Sequence, residues 1–316
     1  MYITSRSAAA RSMVNISSAG DVDQPPLVGI VVFLAALNVF LSISSTLANT
    51  LILVALHKVS SIYPPTKLFF RSLAISDLCV GLTSQLLFCV SLTGRITNVR
   101  NNLFYYSDRL NTTTSYILLM VSVLTSTAIS VDRLLALLLR LRYRQTVTLK
   151  RVRKIVIGIW FISCVLGVWR HSSWGEEVSR VTFIVFLVLC LIISLLSYIK
   201  IYLLLRHYRE QAQNHFQQPN RPTMPLNMAR YKRTVHGIAW VQLTLLVCYL
   251  PFCVVLMLFS YGKIPESASG MAFLRFAITI VYLNSSLNPI LYCWRIVEVK
   301  EAAKDTIRSL NCFKSN

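Results

Sequence analysis

The sequence predicts an all-α integral membrane protein: a seven-transmembrane helix bundle with a short amphipathic cytoplasmic helix after it. Three observations carry this. The 316 residues are 55% apolar and only 14% charged, with a mean hydropathy of +0.58, too apolar for a water-soluble chain of this length. The chain contains seven apolar runs, and a helix needs about 20 such residues to cross the roughly 30 Å of bilayer hydrocarbon. The positive charge, finally, is divided unequally between alternate connections.

The first 26 residues are polar and lack the pattern of a cleavable signal peptide, so the first run, Leu27 to Leu56, is expected to act as a signal anchor. Asn15, Ile16 and Ser17 form a glycosylation sequon within that polar segment. The second run, Leu68 to Leu92, carries Asp77 at mid-span, and the third, Thr112 to Leu139, has Asp132 and Arg133 near its end. The fourth, Ile155 to Trp169, is the shortest, with Arg170 and His171 following at an interface. The fifth runs from Val181 to Leu205. A polar stretch from about Arg206 to Arg230, with Pro219, Pro222 and Pro225, then reads as a mobile cytoplasmic loop. The sixth run, Val235 to Tyr261, and the seventh, Met271 to Trp294, each contain one proline, Pro251 and Pro289. A proline inside a helix removes a backbone hydrogen bond and clashes with the preceding turn, so both helices should kink there.

After Trp294 the apolar residues Ile296, Val299, Ala303, Ile307 and Leu310 recur at spacings of three and four, with basic residues on the other faces. This is the pattern of a helix lying along the membrane surface. Cys312 beyond it is a candidate palmitoylation site. The chain thus divides into an amino-terminal segment, 1–26, a membrane domain, 27–294, and an amphipathic helix with a short tail, 295–316.

The net charge of +20 is explained by its placement. Of the 32 Lys and Arg, 23 fall on the second, fourth and sixth connections' opposite set, namely the first, third and fifth connections plus the tail, and 9 on the other side. The positive-inside rule puts the amino terminus outside and the carboxyl terminus in the cytosol. Attraction to the anionic inner leaflet accounts for the excess without a nucleic-acid partner. Seven of the eight cysteines lie in or beside apolar runs, leaving neither an outer disulfide framework nor metal-ligand spacing.

Ionisable groups inside lipid are costly, about 2.5 to 3.5 kcal/mol for an Asp at a helix centre, so each needs a reason. Asp77 is accompanied by polar residues in neighbouring spans, Asn49, Ser122, Asn284, Ser285 and Asn288. Such groups bond helices together in general; as a set they are expected to share one buried polar site. Asp132 and Arg133 can neutralise each other at rest and separate when helices move, although such a pair also serves as an interfacial anchor.

The ordered combination resembles the rhodopsin-like, class A G-protein-coupled receptors. It comprises Asn49; Leu73, Ala74 and Asp77; Asp132 and Arg133; Leu141, Arg142 and Tyr143 with Val147 and Thr148; Trp160; Tyr198; Cys248 with Pro251; and Asn288, Pro289, Ile290, Leu291 and Tyr292. The resemblance implies that a ligand shifts the bundle to a state that opens a cytoplasmic crevice for a heterotrimeric G protein. Arg133 would receive the G protein as the sixth helix swings about Pro251, and Leu141 would contact it from outside the bundle. Tyr198 and Tyr292 would turn inward. Asp77, Ser122, Asn284, Ser285 and Asn288 would form the family's sodium pocket, an allosteric ion being the only cofactor implied. The ligand pocket would lie around Asp108, Ser115, Tyr249, Thr279 and Tyr282. Localisation in the plasma membrane and an arrestin partner also follow, although few tail hydroxyls, chiefly Thr306, Ser309 and Ser315, are present for phosphorylation.

The sequence also departs from the pattern. Asp108 stands where the family has a disulfide cysteine, and the stretch from Arg170 to Arg180 has no Cys. Together with the short second outer loop and a fifth helix lacking proline, this is similar to the melanocortin receptors and their lipid- and adenosine-binding relatives. Tyr249 replaces the usual tryptophan and Tyr231 the acid that restrains Arg133, from which appreciable ligand-independent signalling is expected; Arg140 replaces a proline. Tyr282 in place of lysine argues against an opsin, and Ser115 in place of an acid argues against a monoamine ligand, leaving a peptide, lipid or nucleoside-like one. A single deep acid argues against a transporter or channel, and no cavity-facing His, Glu or Cys cluster suggests an enzyme. A non-signalling or constitutively active receptor is the alternative.

Overall fold

The computed structural model describes residues 25–97, 102–170, 175–215, 228–263, 268–295 and 297–313, and these are helical almost throughout. The first crossing is α1 (Pro25–Lys58). The second begins with Pro64 and Pro65 in the first turn of α2 (Pro64–Cys79), where the missing N–H groups have no helical partner to lose. It continues through a π-helical turn, Val80–Ser84, into α3 (Gln85–Ile96). The third crossing is α4 (Asn102–Leu139), followed by a 3-10 turn, Arg140–Arg142, and the short α5 (Tyr143–Thr146). The remaining crossings are α6 (Leu149–Trp169), α7 (Gly175–His215), α8 (Met228–Ser260) and α9 (Ala268–Arg295). The chain then enters α10 (Val297–Phe313).

Among the described residues six helices are long and apolar enough to cross a membrane, and the apolar stretch Leu243–Phe259 of α8 supplies the seventh. Large apolar side chains such as Phe33, Phe40, Leu47 and Phe161 face outward, as they must where lipid is the solvent. Within the bundle the third crossing is the most buried and the fourth the least. The third packs against the second, fourth and fifth, while the seventh closes the ring against the sixth and first.

The helices are longer than their apolar runs. α4 starts at Asn102, ten residues before the expected Thr112, and α6 at Leu149, six before Ile155. α7 continues to His215, so the first part of the supposed loop from Arg206 is helix; residues 216–227 lie outside the described residues. Hydropathy marks where lipid begins, whereas a helix ends only where its backbone bonds find another partner. Thr148, for example, starts α6 as an N-cap, its hydroxyl accepting from the Arg151 N–H at 3.4 Å.

Hydroxyls within the crossings turn back on their own helices. Thr127 and Ser130 donate to the carbonyls of Val123 and Ser126 at 2.9 and 3.0 Å, which spares a polar group from lipid. Between helices, the Trp160 indole donates to Ser72 at 3.0 Å, fixing the fourth crossing to the second. Asn38 of α1 donates to Thr279 of α9 at 2.9 Å.

The expected amphipathic helix is present as α10, but its apolar face is shared between two surroundings. Val299 and Ala303 are buried against the bundle with Phe70 and Leu73, whereas Ile307 is 46% exposed. Thr306 is buried too, accepting from Lys58 Nζ at 3.0 Å and donating to the Ala302 carbonyl at 2.7 Å.

Candidate functional site: an outer cavity, a buried acid and a basic end

At the basic end of the bundle Asp132 is the centre of a closed cluster. One carboxylate oxygen forms an ion pair with Arg133 and accepts from the Thr66 hydroxyl at 3.0 Å. The other accepts from the Tyr143 hydroxyl at 2.6 Å. Arg133 also donates to Thr66, whose hydroxyl lies 3.2 Å from that of Tyr143. Three elements, α2, α4 and α5, therefore meet on one acid. Tyr143 is positioned by Tyr63, 5.5 Å away between ring centroids, which in turn donates to the Val147 carbonyl at 2.8 Å.

Beside this cluster Leu141 is 93% exposed on the turn after α4. Arg140 adopts φ 43°, the one positive φ at a residue other than glycine among the described residues, and its guanidinium stacks 4.2 Å from the centroid of Tyr208. Proline is locked near φ −65°, so a proline at this position could not take this backbone conformation. Tyr198, Leu134 and Leu137 each pack against the buried Ile201. The side chains of Tyr231 and Tyr292 and the whole of Asn15 lie outside the described residues, as does the side chain of Cys312.

Midway through the bundle Asp77 is fully buried. Asn288 donates to one of its oxygens at 2.7 Å and Ser122 to the other at 3.3 Å. Ser45 donates to the Asp77 carbonyl at 3.0 Å, and Asn49 reaches the carbonyls of Ser45 at 2.9 Å and Ser285 at 3.1 Å. The expected set thus converges from four crossings. Asn284 is also buried here, but neither end of its amide has a hydrogen-bonding partner, and the Asn49 oxygen shares that condition. Buried polar groups are nearly always paired, so these orphaned atoms around Asp77 fit a site for water or a small cation. Pro251 is half-buried and Pro289 buried, each inside its helix.

At the opposite end a cavity of about 460 Å³ opens between the second, third, fifth, sixth and seventh crossings, within the roughly 300–1,000 Å³ usual for small-molecule sites. Asp108, Ser115 and Tyr282 line it; Tyr249 and Thr279 do not. Tyr249 is fully buried below it, and Thr279 turns toward Asn38. Ser115 and Tyr282 join hydroxyl to hydroxyl at 2.7 Å, and Phe88 packs edge-on against the Tyr282 ring at 5.6 Å. Asp108 accepts from Ser91 at 2.5 Å. Asn111, whose sequon falls at the membrane edge, is a buried helical residue that accepts from Ser115 at 3.2 Å.

The sequence did not single out Thr66 or the arginines that line the cavity, Arg170, Arg180 and Arg275. One signal was there to read. Arg275 stands four residues into the seventh apolar run, and an ionisable residue inside a crossing is a site candidate by default. Among the described cysteines none forms a disulfide.

Comparison with known proteins agrees with this architecture. The sequence matches the 7 transmembrane receptor (rhodopsin family) over residues 48–172 and 164–292. It is 23% identical over 289 residues to Adenosine receptor A3 of Ovis aries, covering 84% of this chain and 86% of that one. It is 24% identical over 284 residues to Melanocortin receptor 4 of Danio rerio, with 86% and 83% covered. Melanocortin receptor 5 of Homo sapiens is 24% identical over 283 residues, with 86% and 84% covered. A single bundle of apolar helices, a buried acid at its middle, an Asp–Arg pair at its basic end and a family match across most of its length lead to one conclusion: this chain is a multi-pass membrane protein of the rhodopsin-like, class A family of seven-transmembrane receptors.

Proposed function

We propose that this receptor sits in the plasma membrane with its amino terminus outside, takes an extracellular ligand in the outer cavity and activates a heterotrimeric G protein at its basic, cytosolic end. The single observation that carries the reading is the Asp132 cluster. A buried acid that holds the adjacent Arg133 together with Thr66 and Tyr143 is a restraint that helix movement can break, which is what a two-state switch needs. Release of Arg133 would expose a guanidinium to the incoming G protein, with Leu141 making contact from outside the bundle. Pro251 would be the bend about which the sixth helix moves. Asn288, Pro289 and Tyr292 would carry the accompanying change in the seventh, with Tyr198 turning in from the fifth. The ligand need only bind the active arrangement more tightly than the resting one.

A sodium ion, when bound, would be held by Asp77 with Ser122, Asn284, Ser285 and Asn288, and would supply the charge that balances the buried carboxylate. Membrane lipid is the bundle's solvent; anionic lipid would meet the basic face of α10. Arrestin recruitment would be feeble, because Thr306, one of few tail hydroxyls, is buried and bonded.

Substituting Arg133→Ala is expected to abolish G-protein activation while leaving surface expression intact. A second-messenger assay on cells matched for surface receptor measures this, and undiminished signalling would remove Arg133 from the mechanism.

A further inference from the structure

We propose that the first, second and seventh crossings enclose a second buried site, separate from that of Asp77, in which Gln85 and Asn38 hold a neutral guest that both donates and accepts hydrogen bonds, namely water. This goes beyond the signalling reading above and does not depend on it.

Two side-chain amides define the site. Gln85 opens α3 directly after the π-helical turn and has none of its surface exposed. Neither end of its carboxamide has a hydrogen-bonding partner among the described residues, although buried polar groups are nearly always paired with protein or with ordered water. Asn38 is equally buried. Its amide nitrogen donates to the Leu34 carbonyl at 2.8 Å and to the Thr279 hydroxyl at 2.9 Å. That hydroxyl spends its own hydrogen on the Arg275 carbonyl at 2.9 Å, so toward Asn38 it can only accept. The Asn38 amide therefore cannot flip, and its oxygen is left as an acceptor without a donor.

The register between the first and second crossings sets these amides at one level. Ser45 donates to the Asp77 carbonyl at 3.0 Å, Ser42 to the Gly81 carbonyl at 2.7 Å and Cys89 to the Ala35 carbonyl at 3.5 Å. The two helices run antiparallel, so Asn38, between Ala35 and Ser42, stands level with Gln85, between Gly81 and Cys89. Gln85 and Cys89 are four residues apart on α3 and share a face, the face that meets the first crossing. An amide donor and a carbonyl acceptor thus stand across from each other beyond bonding distance, which is the arrangement that a bridging molecule completes.

The chemistry of these groups selects the guest. Gln85, Asn38 and Thr279 are all neutral, so an ion would bring an uncompensated charge into a medium that penalises it. Asp77 lies eight residues back along the second crossing, about 12 Å away at the rise of a helix. The guest must accept from the Gln85 nitrogen and donate to the Gln85 and Asn38 oxygens. A water molecule has two donors and free lone pairs, and buried waters typically make about three such bonds. The site also bears on the outer cavity. Phe88 and Tyr282, which line that cavity and pack on each other, each stand three residues beyond a site residue, Gln85 and Thr279, on the same helix. The bridged pair therefore spaces the second and seventh crossings one turn beneath them.

The test uses the full-length receptor purified into nanodiscs. An experimental structure at a resolution that shows ordered solvent is expected to place water within hydrogen-bonding distance of both the Gln85 amide and the Asn38 oxygen. A direct bond between the two side chains, or no solvent between them, would overturn the proposal. Thermal melting supplies the second measurement. Gln85→Met keeps the length of the side chain and removes its polar atoms, so it should lower the melting temperature by a few degrees if it strips partners from a bound water. Combining it with Asn38→Leu should cost less than the sum of the two single changes, because both residues hold the same guest. A Gln85→Met receptor that melts at or above the unmodified one, or losses that add in full, would show that the two amides share nothing. Where Gln85→Met fails to fold, the solvent structure of the unmodified receptor decides.

Discussion

Asp132 shows how much a single side chain can organise. It accepts hydrogen bonds from residues on either side of it in sequence, Thr66 and Tyr143, in addition to its neighbour Arg133. Removing one hydrogen bond to a charged group costs about 1.5 to 3 kcal/mol, and about 1.4 kcal/mol is tenfold in an equilibrium. Thr66→Ala should therefore raise ligand-independent signalling by roughly tenfold, as measured by second-messenger output at matched surface expression. An unchanged baseline would show that Thr66 does not restrain the switch. Asp77 lies farther in, and its proposed reagent is a sodium ion. If its cluster holds sodium, raising sodium in place of potassium should lower agonist affinity, and Asp77→Asn should erase that dependence. Agonist affinity that is indifferent to sodium in the unmodified receptor would remove the ion from the account.

Whole helices are positioned by how closely their backbones approach. The π-helical turn at Val80–Ser84 lies against α1, where Ser42 donates to the Gly81 carbonyl at 2.7 Å. A Cβ on Gly81 would meet Thr46 Oγ1 at 2.8 Å and the Ser42 carbonyl at 3.1 Å, so glycine is what lets the first and second crossings touch. Overpacking of this kind typically costs about 1 to 3 kcal/mol. Gly81→Val should lower the melting temperature of the purified receptor, whereas Gly158→Val, with open space around it, should not. Equal melting of the two variants would show that the contact carries no weight. The same closeness sets the site, because α2 and α4 must be near neighbours for Thr66 to reach Asp132.

For the molecule as a whole the decisive property is its orientation in the bilayer. The charge asymmetry predicts that an antibody reaches an amino-terminal tag on intact cells and a carboxyl-terminal tag only after permeabilisation. Staining of both tags on intact cells, or of neither, would contradict seven crossings. Much of this architecture is written along the chain. Lipid forces a crossing segment to be helical and apolar, so the number of crossings, the lone deep acid, the two helix prolines and the Asp132–Arg133 pair can be read in one dimension. The ends of the helices cannot, since α4 and α6 run past the apolar residues that announce them.

Nor can the partners of each polar group. Thr66 and Asp132 are 66 positions apart, and Arg170 and Arg275 come from different crossings. Whether such residues meet depends on the rotation of each helix about its axis and on the distance between axes, quantities that no local pattern records. Tyr249 and Thr279 illustrate the point: matched to a ligand pocket by position, they are turned away from it by packing. The linear chain settled that this protein crosses the membrane and where its scarce charges stand, because the bilayer penalises every exception. Only the packed bundle decided which of those charges face one another and that three arginines share a cavity, because convergence is a property of neighbouring helices and not of neighbouring residues.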